Sequence, residues 1–409
     1  MPLTAAAPDL RALPPVAARV DAELARMDRQ IDWLLALSPL GNDAMWDLFE
    51  ASGRREEPPL RYPDLDLDLR AARRRLLELP VEDIESPLLS GLLAEKQREL
   101  DRQIELVRLR GTDGFVGASL ELFGGVEPSL HDLAGEILRR VPAHSPLPAD
   151  AGIDEVVSAV ERELAWYRGR CPGFGCEVVV DSDLNSLMMV SHGTFYIDAE
   201  IRIPRARIQP LLQHEIGTHV VTRHNGSRQP LRQLEVGLAH YDPLQEGLGV
   251  LAEYLAGYLP GARLRVLAAR VAACEMAIRG ERVPAIFDVL HHSHGLPTDD
   301  AFDVAVRARR GGGLTKDAVY LDGLRELVRH LADGGALEPL FRGKFALAHL
   351  PVLDRLQDEG WLAPPELMPR YTHAPGFGER LARMRRVPVE AFFHERPDAA
   401  ASPPGAAAA

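Results

Sequence analysis

A mostly helical α+β fold is predicted by three features of the chain. Apolar residues recur at helical spacing on both sides of residue 150, short β-rich runs cluster between residues 177 and 203, and a histidine-bearing helix follows directly after them. The first helix is expected over Val16 to Leu37, with Val20, Leu24, Met27, Ile31, Leu34 and Leu35 on one face. Asn42-Asp43 resembles the cap of a shorter helix carrying Trp46 and Phe49. A long amphipathic helix is expected from about Ser86 to Leu109. Its charged face (Glu95, Lys96, Arg98, Glu99, Asp101, Arg102) reads most simply as solvated surface. Further helices are expected over Leu130 to Arg140 and Ile153 to Tyr167, separated by a Pro- and Ala-rich loop from Pro142 to Asp150.

Glu177 to Asp181, Leu187 to Val190 and Thr194 to Ile197 read as strands. Ser191-His192-Gly193 is the turn between the last two, and Ile201-Arg202-Ile203 is a further alternating run. Pro210 is expected just inside the start of the next helix, a position that tolerates proline. Helices follow over Leu264 to Ile278, Ala301 to Arg307, Ala318 to Leu331 and Leu350 to Gln357. The expected division is an N-terminal helical region (1–150), a core (151–260), a C-terminal helical region closing the cleft (261–398) and a disordered tail (399–409) made only of Ala, Ser, Pro and Gly.

The chain has 409 residues and a formal net charge of −13. That balance argues against nucleic acid as the main partner, because phosphate binding needs a basic face. No apolar run approaches the ~18–20 residues of a membrane span. The first residues show neither a basic nor an apolar targeting segment, so a cytoplasmic protein is expected. Three cysteines are too few for a disulfide framework. Cys171 and Cys176 flank Pro172-Gly173-Phe174-Gly175, but no second cysteine pair completes a zinc site around them.

The chemistry concentrates in Gln213-His214-Glu215-Ile216-Gly217-Thr218-His219. Two imidazoles and a carboxylate on one helix suit a zinc-activated water with a general base beside it. The familiar zincin spacing places the histidines four apart, whereas His214 and His219 are five apart, an HExxxH pattern. On a regular helix five steps of ~100° turn the second ring about 140° away from the first, against about 40° for four steps. The motif therefore requires an expanded turn, a π-bulge, with Gly217 inside it. The expected core is zincin-like, with a small sheet packed on this helix and its edge strand able to hold an extended substrate.

Catalytic zinc takes three protein ligands. Glu246, in Gln245-Glu246-Gly247-Leu248-Gly249, is the best third candidate, and equally reads as a helix N-terminal carboxylate favoured by the macrodipole. Glu253, two turns later, can orient a ligand imidazole from outside. Glu215 is the expected general base; without His219 it would read as an ordinary helix glutamate. A substrate carboxylate needs a cation, and Arg310 and Lys316 around Gly311 to Gly313 are favoured, with Tyr320 as an oxyanion donor; the rival reading is a basic surface loop. His240 is a further candidate for the oxyanion position. His192 falls on the strand turn, His224 is expected at the end of the motif helix closed by Gly226, and His291, His292 and His294 read as a polar turn.

His214 to His219 followed by Gln245-Glu246-Gly247-Leu248 resembles the family named for its QEGLA motif, which includes the microtubule-associated tyrosine carboxypeptidases of animals. The likeness extends to Ala36 to Leu40 with Trp46 and Phe49, to Glu95 to Asp101 and to Arg309 to Tyr320, and covers roughly Asp32 to Gly360. The resemblance implies one zinc ion held by His214, His219 and Glu246, with Glu215 as base, in a metallopeptidase acting on the C-terminal residue of a peptide or protein. Gly249 stands where the family motif has alanine, which reads as a mild packing change remote from the chemistry. Heavy use of Ala, Arg, Pro and Gly suggests a high-GC bacterial source, where tubulin is not the expected substrate. The alternatives are a silent zincin scaffold used for binding, or a metal-dependent amidase acting on a non-peptide amide.

Overall fold

The computed structural model describes residues 10–398, except 32, 66–67, 144–146, 183 and 185; the expected tail, 399–409, lies outside the described residues. The N-terminal part holds α1 (Pro15–Gln30), α2 (Asn42–Ala51), α3 (Leu69–Leu77), α4 (Pro87–Arg108), α5 (Phe115–Phe123) and α6 (Pro128–Arg140). After α7 (Ile153–Arg168) come β1 (Glu177–Asp181), β2 (Met188–Ser191) and β3 (Thr194–Asp198). The motif lies on one continuous helical path made of α8 (Arg205–His214), a π-helical segment (Glu215–Val220) and α9 (Val221–Ser227). α10 (Asp242–Leu255) completes the core, and the C-terminal part contains α11 (Gly261–Ile278), α12 (Thr298–Arg309), α13 (Val319–Ala332) and α14 (Leu350–Asp358). This is the predicted α+β, mostly helical class. One continuous apolar cluster runs from Ala17 to Phe392 and links the N-terminal part to the C-terminal part, while α5 packs in a second, smaller cluster with Leu37, Leu106 and Leu314. Among the described residues no helix is long and apolar enough to cross a membrane.

The sheet order is β1-β3-β2. β3 lies parallel to β1 (Glu177 opposite Thr194) and antiparallel to β2 (Met188 opposite Ile197). His192 and Gly193 both have positive φ, 47° and 91°, which gives the β2–β3 hairpin the two-residue turn that matches strand twist. Edge strand β2 packs beside the π-helical segment. Ile201 and Ile203 are buried, but they form no strand; Ile203 makes only an isolated bridge to Ala151.

Helix α10 is the central beam. It packs on α8, on the π segment and on α13. Gly247 and Gly323 allow α10 and α13 to touch backbone to backbone, because a Cβ on Gly247 would lie 2.7 Å from the Gly323 carbonyl. The second glycine of the Gln-Glu-Gly-Leu-Gly run serves a different neighbour, described below.

Four expectations are corrected by the packing. The first helix stops at Gln30, where Ile31 leaves helical geometry, and Leu35 sits exposed on a separate short turn. The motif helix begins at Arg205 after the extended Pro204, which places Pro210 in its interior instead of its first turn. α9 continues through Gly226 to Ser227, so Gly226 does not close the helix; it leaves room for the Leu234 backbone. The charged face of α4 is not all solvated. Lys96 is fully buried, with its Nζ 2.8 Å from Asp28 and 2.9 Å from the buried Glu99. Glu99 in turn accepts the backbone N–H of His240 at 2.7 Å, tying α1 and α4 to the approach to α10.

Candidate active site

The π segment answers the spacing problem. The extra residue is absorbed between Glu215 and Val220, and the His214 and His219 rings stand 5.3 Å apart between centroids. Gly217 does this without positive φ. Its hydrogen instead makes room, since a Cβ there would lie 2.8 Å from Gln213 Oε1; that side-chain amide is pinned because its Nε2 donates to Glu163 and its Oε1 accepts from the Tyr371 N–H. Ligand-type atoms of His214, His219 and Glu246 all lie within 4.8 Å of one another. His214 Nε2 is 3.8 Å from Glu246 Oε2, too long for a hydrogen bond but suited to two donors sharing one ion. Glu215 Oε1 lies 4.0 Å from the same nitrogen.

Outer partners turn both rings inward. His214 Nδ1 is 2.9 Å from Glu253 Oε1, and Glu253, fully buried, also accepts from Arg207 Nη2 at 2.6 Å and has Arg263 Nε 3.6 Å away. His219 Nδ1 is 3.5 Å from Gln245 Oε1, which Thr222 Oγ1 holds at 2.8 Å. This is the arrangement by which second partners select a ligand tautomer and leave Nε2 free. Arg207, Arg263 and Gln245 were not visible as site residues in the sequence; Gln245 adjoins Glu246, but nothing local marks the two arginines.

The environment separates the titrating groups. Burial opposes protonation of His214, yet Glu246, Glu253 and Glu215 around it push it up to about 10. Burial draws His219 down to about 4, against the pull of Glu246. Burial pushes the Glu215 carboxyl up to about 7. Burial also disfavours charge on Glu246, but His214, His219 and Lys316 hold its carboxyl well below the ordinary range. His214, His219 and Glu246 so arranged are a donor set that could hold a metal ion, with Glu215 beside it.

Gly249 corrects the expectation that its departure from alanine is remote. A Cβ there would come within 2.6–2.8 Å of His214 Cε1, Nε2 and Nδ1, so this position floors the imidazole directly.

The remaining candidates divide. Tyr320 is close enough for Glu246 to raise its phenol, after burial, above the usual value, and it lies under Arg270 at 4.8 Å. Lys316 flanks Glu246 electrostatically, but its Nζ is paired with Asp242 Oδ1 at 3.0 Å, so it is not a free cation. Arg310 is buried with Arg270 and Arg307 around Asp317. Arg307 takes Asp317 in a two-pronged bond, whereas Arg270 Nε and Arg310 Nε have no hydrogen-bond acceptor among the described residues. Burial and the neighbouring Arg307 draw Arg310 down to about 10. The glycine run beside it approaches Phe115 and the Tyr62 hydroxyl of the N-terminal part. His240 does not join the cluster. Its ring borders a groove with Glu95, Arg98 and His349, fixed there by the Glu99 contact and a positive φ of 57°. His291 and His292 lie in a π-helical segment (Val289–Ser293), not in the expected turn, which holds only His294; His291 Nδ1 bonds the Leu296 carbonyl at 2.8 Å.

Over residues 47–387 the chain matches the family described as Microtubule-associated tyrosine carboxypeptidase, and it belongs to that family. Among curated relatives it is similar to microtubule-associated tyrosine carboxypeptidase 1 of Homo sapiens, 32% identical over 53% of this chain and 45% of the relative. It is also similar to the Rattus norvegicus protein of that name, 29% identical over 61% of this chain and 51% of the relative. The chain thus spans about half the length of the curated relatives it matches.

Proposed function

We propose that this protein is a zinc-dependent carboxypeptidase with a zincin-like core, cleaving the C-terminal residue from a peptide or protein. The observation that carries this reading is the convergence of His214, His219 and Glu246 within 4.8 Å, with Glu215 beside them, in a chain of a carboxypeptidase-named family. Two imidazoles and one carboxylate are the donors of known catalytic zinc sites, and both rings already have Nδ1 engaged outward. A zinc ion held there supplies a Lewis acid and lowers the pKa of a water to about 7.

The side chains divide the remaining work. Glu215, poised near 7, accepts a proton from the attacking water and returns it to the leaving amine. Glu253 keeps the His214 proton on Nδ1. The Tyr320 phenol, kept protonated by burial and by Glu246, is the donor for the carbonyl oxygen. Arg310, grouped with Arg270 beside Asp317, is the cation for the substrate carboxylate. Edge strand β2, beside the π segment, is available to pair with an extended substrate.

The test is a peptide library offered with free and with amidated C-termini. Cleavage restricted to free C-termini is expected. Equal cleavage of both would point to an endopeptidase or amidase.

A further inference from the structure

A second donor set lies outside this cleft. Cys171, in the turn after α7, His224 on α9 and Glu366, beyond α14, bring a thiol, an imidazole and a carboxylate within 4.8 Å of one another. Cys171 Sγ is 3.6 Å from His224 Nε2 and 3.7 Å from Glu366 Oε1, and His224 Nε2 is 3.1 Å from Glu366 Oε2. Zinc bonds of ~2.3 Å to sulfur and ~2.0–2.1 Å to nitrogen or oxygen, set at tetrahedral angles, give donor–donor edges of about 3.3–3.6 Å. The sulfur–nitrogen separation of 3.6 Å matches such an edge; the two carboxylate oxygens, 3.7 Å from sulfur and 3.1 Å from nitrogen, bracket the range, so a small turn of the exposed Glu366 carboxylate places one oxygen as the third donor.

The surroundings favour this arrangement. Phe174 covers the His224 ring at 5.3 Å between centroids, and Cys171 and His224 are both buried. Arg228 Nε holds Glu366 Oε2 at 3.1 Å, and Gly173 makes room for that guanidinium, since a Cβ there would lie 2.7 Å from Nη2. The Cys-Pro-Gly-Phe-Gly-Cys loop is thus shaped around Cys171 and its partners, and Cys176 stays outside the group.

We propose that Cys171, His224 and Glu366 form a second, sulfur-containing site for a divalent transition ion of the zinc class. Mixed thiolate, imidazole and carboxylate donors suit such an ion, and the two anionic donors balance its charge. Binding replaces the thiol proton, which is released to solvent. The site clamps α9, the continuation of the motif helix, to the turn after α7 and to the C-terminal segment, where Asn225 already bonds the Leu367 backbone. The same side chains can also satisfy one another as hydrogen-bonded partners, and the experiment separates the two states.

The full-length protein is stripped of metal and titrated with cobalt(II). The histidine–glutamate centre of α8 to α10 contains no sulfur, so a near-ultraviolet thiolate-to-cobalt band reports only a cysteine-bearing site. The band is expected in the wild type and in His214→Ala, and is expected to vanish in Cys171→Ser. Zinc content should fall by one equivalent in Cys171→Ser and separately by one in His214→Ala. Glu366→Gln, at an exposed position, should weaken cobalt binding at this site without unfolding the chain. A wild type without the band, or a band retained in Cys171→Ser, would overturn the proposal and leave the catalytic centre unaffected.

Discussion

Replacing Glu253 with glutamine tests whether the site is built from the outside inward. The carboxylate is fully buried and bonds His214 Nδ1 at 2.9 Å and Arg207 Nη2 at 2.6 Å. Glutamine keeps the shape, but its amide offers one acceptor where two donors converge. Each hydrogen bond to a charged group contributes about 1.5–3 kcal/mol, and leaving a buried charge without its partner costs about 3–5 kcal/mol. A stability loss of about 3–5 kcal/mol is therefore expected, dominated by Arg207 and Arg263. Separately, loss of the acceptor that fixes the His214 tautomer should weaken metal binding about 10–100-fold. Denaturant unfolding measures the first effect and chelator competition the second. A variant with reduced stability but wild-type metal affinity would refute a role for Glu253 in positioning His214, and would leave it as a structural partner of the two arginines.

Three further outcomes are expected. Gly249→Ala gains about 1 kcal/mol of helix propensity but drives a methyl group into the His214 ring; chelator competition should show weaker metal binding without loss of fold, and unchanged affinity would contradict the close contact. Lys96→Met removes the cation between Asp28 and the buried Glu99, and urea unfolding should show a loss of about 3–5 kcal/mol, against near-neutrality if the face were solvated. Burial pushes the Asp21 carboxyl up to about 6 against the bonds from the Arg232 and Gln233 amides. The folded state then holds this proton more tightly than the unfolded one, so ionisation costs stability in full above about pH 6, and the cost fades toward pH 4. Relative to Asp21→Asn, the wild type should gain up to about 3 kcal/mol between pH 7 and pH 4, and parallel pH profiles would contradict it.

What could be read from the chain was what is local. The five-residue spacing of His214 and His219 demands an expanded turn, because ring direction on a helix follows from residue count alone, and the π segment lies there. Glu246 and Glu253 were legible because seven residues return to one helix face. Alternating runs marked the three strands. What escaped was set by contacts between distant segments. Lys96 resembles any solvated lysine until α1 brings Asp28 to it. Gly249 resembles a neutral change until α10 is laid under His214. Cys171 and Glu366, 195 residues apart, share no motif. Pro210 reads locally as a helix start, and its interior position follows only from Pro204 opening the helix. Arg310 was legible as a cation, but its grouping with Arg270 and Asp317 was not.

The most direct measurement is hydrolysis of free C-terminal peptides by Glu215→Gln, read beside its metal content. The substitution removes the carboxylate poised at about 7 while leaving His214, His219 and Glu246 in place. Unchanged metal content with turnover lost is expected. Turnover at the wild-type rate would contradict a catalytic base at this position, and with it the proposed chemistry of the cleft.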